Sequence, residues 1–241
     1  MSILASGPKD ILKFLGQPIM LRIKDGPLKG KKWIAASGIR FIKGTYELYK
    51  TNAYLEYLHE GDVVYDVGAH VGYYTALAST IVGKRGAVFS FEPRPVNYRY
   101  LKRHVRANDL SNVRIFEAAV GSTAGIVSFD NETGTGTGRV RSGGKITVNM
   151  VCLDELFAKG EIPLPNFLKV DVEGGEVDVL EGARTVIAQA RPAMLLATHG
   201  SREHAFVEKF LDDHDYVYHV LDQGGAKGDI EIMALPRSAE A

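Results

Sequence analysis

The sequence predicts an α/β fold, a mostly parallel sheet covered by helices on both faces. Short apolar runs alternate with helical patterns from residue 63 to residue 211. That arrangement buries parallel strands on both faces. At one junction, Asp66-Val67-Gly68-Ala69-His70-Val71-Gly72, two glycines stand between a strand and a helix. The last two strand-like runs, Tyr216–Val220 and Ile230–Leu235, are joined only by residues 222–228. This reads as a hairpin, and so as an antiparallel edge strand.

Taken in order, residues 1–45 read as a small β-rich extension to a main domain over 46–241. Ile11, Leu12, Phe14 and Leu15 form a short amphipathic turn that packs on the domain. Ile19–Ile23 and Lys32–Ala35 read as strands around Asp25-Gly26-Pro27, and Ile39–Ile42 as a third. Leu48, Tyr49, Leu55 and Leu58 give a helix over 46–59, stopped by Gly61. Strands follow at Val63–Val67, Ala87–Phe91, Val113–Phe116, Phe167–Val170 and Ala193–Ala197. Helices are read at Tyr73–Val82, Val96–Asn108, Glu176–Gln189 and Glu203–Leu211. An insertion over 121–150 has two strand-like flanks around the glycine-rich stretch 133–145, either a surface tip or a lid.

Composition narrows the function classes. Basic and acidic residues balance at 29 each, which argues against a broad nucleic-acid surface. The local basic group Arg94, Arg99, Lys102, Arg103, His104 and Arg106 reads as a solvated helix face. No apolar stretch is long enough to span a bilayer, and the N-terminus lacks the apolar centre of a secretory signal. The single cysteine, Cys152, allows no intrachain disulfide and reads as a core residue. This fits a reducing compartment such as the cytoplasm.

The glycine turn suits a ligand that approaches the backbone where a strand ends and a helix begins. Its spacing is G-x-x-x-G, with His70 where a dinucleotide fingerprint has its middle glycine. A histidine there crowds a pyrophosphate, which disfavours an NAD-dependent oxidoreductase. Glu92, ending the next strand in Phe91-Glu92-Pro93, can accept ribose hydroxyls, and this feature suits either a dinucleotide or S-adenosylmethionine. At a later strand end, Asp171 and Glu173 point the same way if the strand continues through them. They can orient an acceptor, act as a base, or bind a divalent metal, though no third ligand is evident and no metal set is assigned. Alternatively, Asp171 meets the cofactor amino group and Glu173 caps the next helix. His199, after the following strand, has the imidazole suited to proton removal near neutrality.

DVGAHVGYYT, FEPRPVNYRYLKRHVRAN, EAAVG and LKVDVEGGEVDVLEGA together resemble the FkbM-type S-adenosylmethionine-dependent methyltransferases, from about Glu47 to His199. His70 stands where that family usually has Asn. The resemblance implies a class I, Rossmann-like fold with seven strands, the last antiparallel. It implies that Asp66, Gly68, Ala69, His70 and Gly72 line the methionine and ribose, and that Glu92 holds the ribose hydroxyls. Ala118, Ala119 and Val120 would lie near the adenine, and Glu47 either closes over the cofactor or stays at the surface. The implied reaction is O-methylation of a small-molecule or glycan hydroxyl, with Asp171, Glu173 and His199 as catalytic candidates. Asp171-Val172-Glu173-Gly174 stands where amino-group methyltransferases carry Asn-Pro-Pro-Tyr, which lowers the case for nucleobase methylation. An RNA methyltransferase and a non-catalytic cofactor-binding protein remain as alternatives.

Overall fold

The computed structural model describes residues 19–133, 137–140, 144, 146–224 and 229–237. The expected amphipathic turn at Ile11–Leu15 and most of the tip of the glycine-rich stretch lie outside them.

Thirteen strands are present among these residues: β1 (Met20–Arg22), β2 (Lys32–Ile34), β3 (Val63–Val67), β4 (Ala87–Phe91), β5 (Val113–Phe116), β6 (Ala118–Val120), β7 (Gly125–Thr133), β8 (Thr137–Val140), β9 (Ile146–Val151), β10 (Phe167–Val170), β11 (Ala193–His199), β12 (Tyr216–Gly224) and β13 (Asp229–Pro236). The helices are α1 (Ile39–Lys43), α2 (Leu48–Tyr57), α3 (Tyr73–Val82), α4 (Pro95–Ala107), α5 (Leu153–Ala158), α6 (Glu176–Glu181), α7 (Arg184–Ala190) and α8 (Ser201–Asp213).

The central sheet has seven strands in the order β12-β13-β11-β10-β3-β4-β5. β10, β3, β4, β5 and β11 pair in parallel. β13 runs antiparallel to both β11 and β12. The antiparallel strand is therefore not the edge, as the hairpin reading implied. β13 buries Ile232, Met233 and Ala234 completely, so it takes the covered position and leaves β12 outside.

Period-two alternation divides the core between the two faces of the sheet. Leu168, Val170, Met194, Leu196 and Ile232 pack with α6, α7 and α8 residues on one face. Val64, Phe167, Leu195 and Met233 pack with α2 and α3 residues on the other. The β1–β2 extension has no core of its own. Its Ile23, Leu28 and Trp33 join the second cluster. Trp33 stacks on His104 at 3.7 Å between ring centroids. The His104 imidazole accepts from the Ile34 N–H and donates to the Val71 carbonyl. Burial pushes its pKa down to about 4. It is 1% exposed and so does not belong to the solvated basic face.

Ile39–Lys43 is a helical turn rather than a third strand. Gly38 and Gly44 bracket it with positive φ, and Phe41 and Ile42 face inward together. The helix expected over Glu176–Gln189 is broken at Gly182. A Cβ there would lie 2.2 Å from the Gly121 carbonyl oxygen, so the chain tightens where the insertion begins. Asp154 then caps α7 by accepting from the Thr185 and Val186 N–H groups. In the insertion β7 and β9 form the expected antiparallel pair, extended by β8 and by β6, which lies parallel to β9. Cys152 is buried, as expected, with its thiol on the Gly182 carbonyl. Among the described residues no helix is long and apolar enough to cross a membrane.

Candidate active site

The carboxyl ends of β3, β4, β10 and β11 open into a cavity of about 350 Å³. Gly68, Glu92, Asp171 and His199 reach it from those four strand ends. Tyr46, Glu47, Tyr49 and Lys50 wall it from the start of α2, and Asp222, Asp229 and Glu231 from the terminal hairpin. Ala118, Ala119, Val120 and Phe129 form an apolar side.

The glycine turn packs closely against the chain. Gly68 has φ +78, and a Cβ on it would stand 1.8 Å from the Asp171 carbonyl oxygen. Gly72 has φ +92, and its Cβ would meet Leu101 of α4 at 2.5 Å. At both positions the space a Cβ would need is filled by protein atoms. Gly68 still forms part of the cavity wall, whereas Asp66, Ala69 and Gly72 are not among its lining residues. Asp66 is fully buried and accepts from the Thr75 hydroxyl at 2.6 Å. It also sits 3.3 Å from the Lys169 ammonium. These contacts tie α3 and β10 to β3. His70 lines the cavity in a left-handed conformation, φ 53, which aims its N–H at Glu92 Oε2, 2.8 Å away.

Glu92 Oε1 accepts from the Arg94 N–H. With one oxygen on each backbone donor, the carboxylate is fixed at the strand end and keeps lone-pair capacity for a further donor. Burial nevertheless lifts its pKa to about 7.

Further along, Asp171 and Glu173 converge on His199, but not by strand alternation. β10 ends at Val170, and Glu173 takes a left-handed conformation, φ 60, that turns its side chain back. His199 Nε2 lies 3.8 Å from Asp171 Oδ1 and 3.8 Å from Glu173 Oε2. Its Nδ1 is 2.8 Å from Glu176 Oε1, an oxygen that also accepts from the Gly174 N–H. Glu176, not Glu173, therefore tethers the loop before α6. Burial opposes charge on His199, but the Glu176 hydrogen bond and the Asp171, Glu176 and Glu173 charges prevail and raise its pKa to about 9. Asp171 is partly buried, which works against its charge, yet Lys50, Lys169 and His199 hold its carboxyl well below the usual range. Burial raises Glu173.

Sequence reasoning missed Lys50, Lys169, Glu176 and Glu231. Lys50 Nζ lies 2.6 Å from Glu231 Oε1, 3.0 Å from Asp171 Oδ2 and 3.4 Å from Glu47 Oε2. Glu47 is held further by the Tyr74 hydroxyl at 2.8 Å, so it is a wall residue rather than a surface one. Lys169 donates to the Gly68 carbonyl at 2.7 Å and stands in register with Asp66.

Residues 66–218 match the model of the methyltransferase FkbM domain. The chain belongs to the FkbM methyltransferase family. It is 32% identical over 178 residues to the hexuronic acid methyltransferase AglP of Haloferax volcanii, covering 73% of this chain and 71% of that one. The FkbM methyltransferase crystal structure from Methylobacillus flagellatus superposes with a TM-score of 0.56 at 18% identity, over 81% of this chain. This chain spans about half, 52%, of that longer protein. A SAM-dependent O-methyltransferase from Thermotoga maritima gives a TM-score of 0.52 at 13% identity, over 93% of this chain and 80% of its own. The fold is thus the class I methyltransferase fold expected from the FkbM resemblance. The cofactor of the family is S-adenosylmethionine, and the wall fits it. A buried carboxylate with spare acceptor capacity, an apolar side and a strongly ionised Asp171 match its ribose, adenine and ammonium groups.

Proposed function

We propose that this FkbM protein transfers the methyl group of S-adenosylmethionine to a hydroxyl oxygen of a hexuronic-acid-type sugar in a glycan or small molecule. The observation that carries this reading is the convergence of Asp171, Glu173 and His199 on the cavity that also holds Glu92. The 32% identity to a hexuronic acid methyltransferase supports the acceptor class. In this reading Glu92 holds the ribose, Ala118, Ala119 and Val120 flank the adenine, and Asp171 meets the ammonium group. Glu173 is the least committed of the three convergent groups. Lys50 engages Asp171 at 3.0 Å and Glu176 engages His199 at 2.8 Å, whereas the Glu173 carboxylate sits 3.8 Å from His199.

The acceptor oxygen's lone pair forms the bond to the methyl carbon. The carbon–sulfur bond breaks with its electron pair passing to sulfur, and the hydroxyl proton passes to Glu173. The products are a methyl ether and S-adenosylhomocysteine. The free, buried Cys152 thiol fits cytoplasmic residence.

The test incubates the protein with labelled S-adenosylmethionine and hexuronate-containing oligosaccharides, followed by mass spectrometry. The expected product is an alkali-stable methyl ether. Glu173→Gln is expected to lower kcat by about 10²–10⁴-fold, the usual range for a lost general base. An alkali-labile methyl ester would move the acceptor to the carboxylate and remove the need for the base. No sugar methylation, with methylation of RNA instead, would overturn the reading.

Cofactor affinity should also depend on pH. A carboxyl whose folded-state pKa is raised favours the fold when protonated, so the contribution of Glu92 to stability is lost as pH rises through about 7. Ribose hydroxyls favour the ionised form, so binding must release that proton at lower pH. S-adenosylhomocysteine affinity is expected to fall by up to about tenfold per unit below pH 7 and to level off above it. Glu92→Gln should bind weakly and flatten the profile. Calorimetry from about pH 5.5 to 8.5 measures both, and a flat wild-type profile would remove Glu92 from the ribose site.

A further inference from the structure

We infer that Asp171, Glu173 and His199 form a binding site for one divalent cation of the Mg²⁺ or Mn²⁺ type. This deepens the methyltransferase reading and rests on it only for the role of the ion. Among the described residues these three are the group whose ligand atoms lie within 4.8 Å of one another. Two carboxylates and one imidazole suit a hard to intermediate cation. An octahedral ion with bonds of about 2.1 Å holds neighbouring ligand atoms about 3 Å apart. The 3.8 Å separations from His199 Nε2 to each carboxylate are too long for hydrogen bonds and need under about 1 Å of closure.

The second line of evidence lies behind the histidine. Glu176 is 1% exposed and fixes His199 through Nδ1, which turns Nε2 toward the two carboxylates. A carboxylate on the far nitrogen is the usual support of a metal-bound imidazole. The other oxygen of Glu176, Oε2, is buried with no hydrogen-bond partner among the described residues. Glu231 Oε2, also on this side, has none either. The cavity wall carries Glu47, Glu92, Asp171, Glu173, Asp222, Asp229 and Glu231, against the side chains of Lys50 and Arg94. An acidic sugar would be repelled by such a wall. A cation held by one oxygen from each carboxylate would reverse that, leaving positions open for two acceptor oxygens and the second Glu173 oxygen for the proton.

The experiment strips the full chain with chelator and titrates it with Mn²⁺ alone, read by electron paramagnetic resonance. The same samples are titrated with S-adenosylhomocysteine by calorimetry. The expected result is one bound Mn²⁺ per chain, displaced by Mg²⁺, with a nitrogen coupling in the spin-echo spectrum. His199→Ala should lose the nitrogen coupling and the site while keeping S-adenosylhomocysteine affinity. Glu176→Gln should weaken Mn²⁺ about 10–100-fold. Wild-type protein that binds S-adenosylhomocysteine but no Mn²⁺, or Mn²⁺ binding unchanged in His199→Ala, overturns the metal site and leaves the methyltransferase reading standing. Loss of S-adenosylhomocysteine binding in the wild type would instead strike that reading.

Discussion

Lys50→Met is expected to destabilise the protein by about 3–5 kcal/mol and to abolish tight cofactor binding. Met keeps most of the stem volume, so the change isolates the charge. The Lys50 side chain is 4% exposed and faces three carboxylates within 3.4 Å. Burial alone would lower its pKa, but Asp171, Glu231 and Glu47 raise it well above the ordinary lysine value. Once the ammonium is gone, three acids share a partly buried space with too little positive charge. Breaking one side of a buried ion cluster costs more than the cluster itself contributes, because the partners stay desolvated.

The sign of the pH dependence follows. The orphaned carboxylates will have raised folded-state pKa values, so the variant is relieved by protonation. Its deficit should be largest at alkaline pH and should shrink as pH falls. Urea unfolding at several pH values measures this. Adding Glu231→Gln to the variant should recover part of the loss, since these neighbours couple. A loss below about 1 kcal/mol with no pH trend would mean that the cluster is solvated and structurally idle.

The parts of the molecule legible in the sequence are those set by local pattern. Val63–Val67 and Phe167–Val170 are mostly apolar because parallel strands are covered on both faces, and Glu92 follows an apolar run as an acid at the strand end. Lys169 was also legible in principle, as the single charge within Phe167–Val170, because a lysine is almost never buried unpaired. Glu231 alternates with Ile230 and Ile232 and gave no comparable signal. Lys50 sits on a helix with ordinary polar neighbours, and only the sheet order brings it to Asp171 and Glu231. The turn at Glu173 is the clearest gap. Strand alternation put Asp171 and Glu173 on one side, and they do converge, but through a left-handed residue that no periodicity announces.

Gly68→Ala should cost about 4 kcal/mol or more. Two costs combine. The φ of +78 is strained for any residue with a Cβ, which alone accounts for about 1 kcal/mol. The larger part is the 1.8 Å approach of that Cβ to the Asp171 carbonyl oxygen. That atom is backbone, so no rotamer change relieves it, and the ends of β3 and β10 must separate. Such a shift pulls Asp171 from Lys50 and removes the Gly68 carbonyl from Lys169, which damages the cavity from two directions. Gly72→Ala supplies the contrast. Its φ of +92 is similarly strained, but its Cβ meets only the Leu101 side-chain tip at 2.5 Å, which can turn aside. It is expected to cost about 1–3 kcal/mol and to retain S-adenosylhomocysteine binding. Urea unfolding and calorimetry on the two variants test the order. If Gly72→Ala proves as damaging as Gly68→Ala, backbone strain dominates and the close approach at Asp171 is relieved without separating the strands.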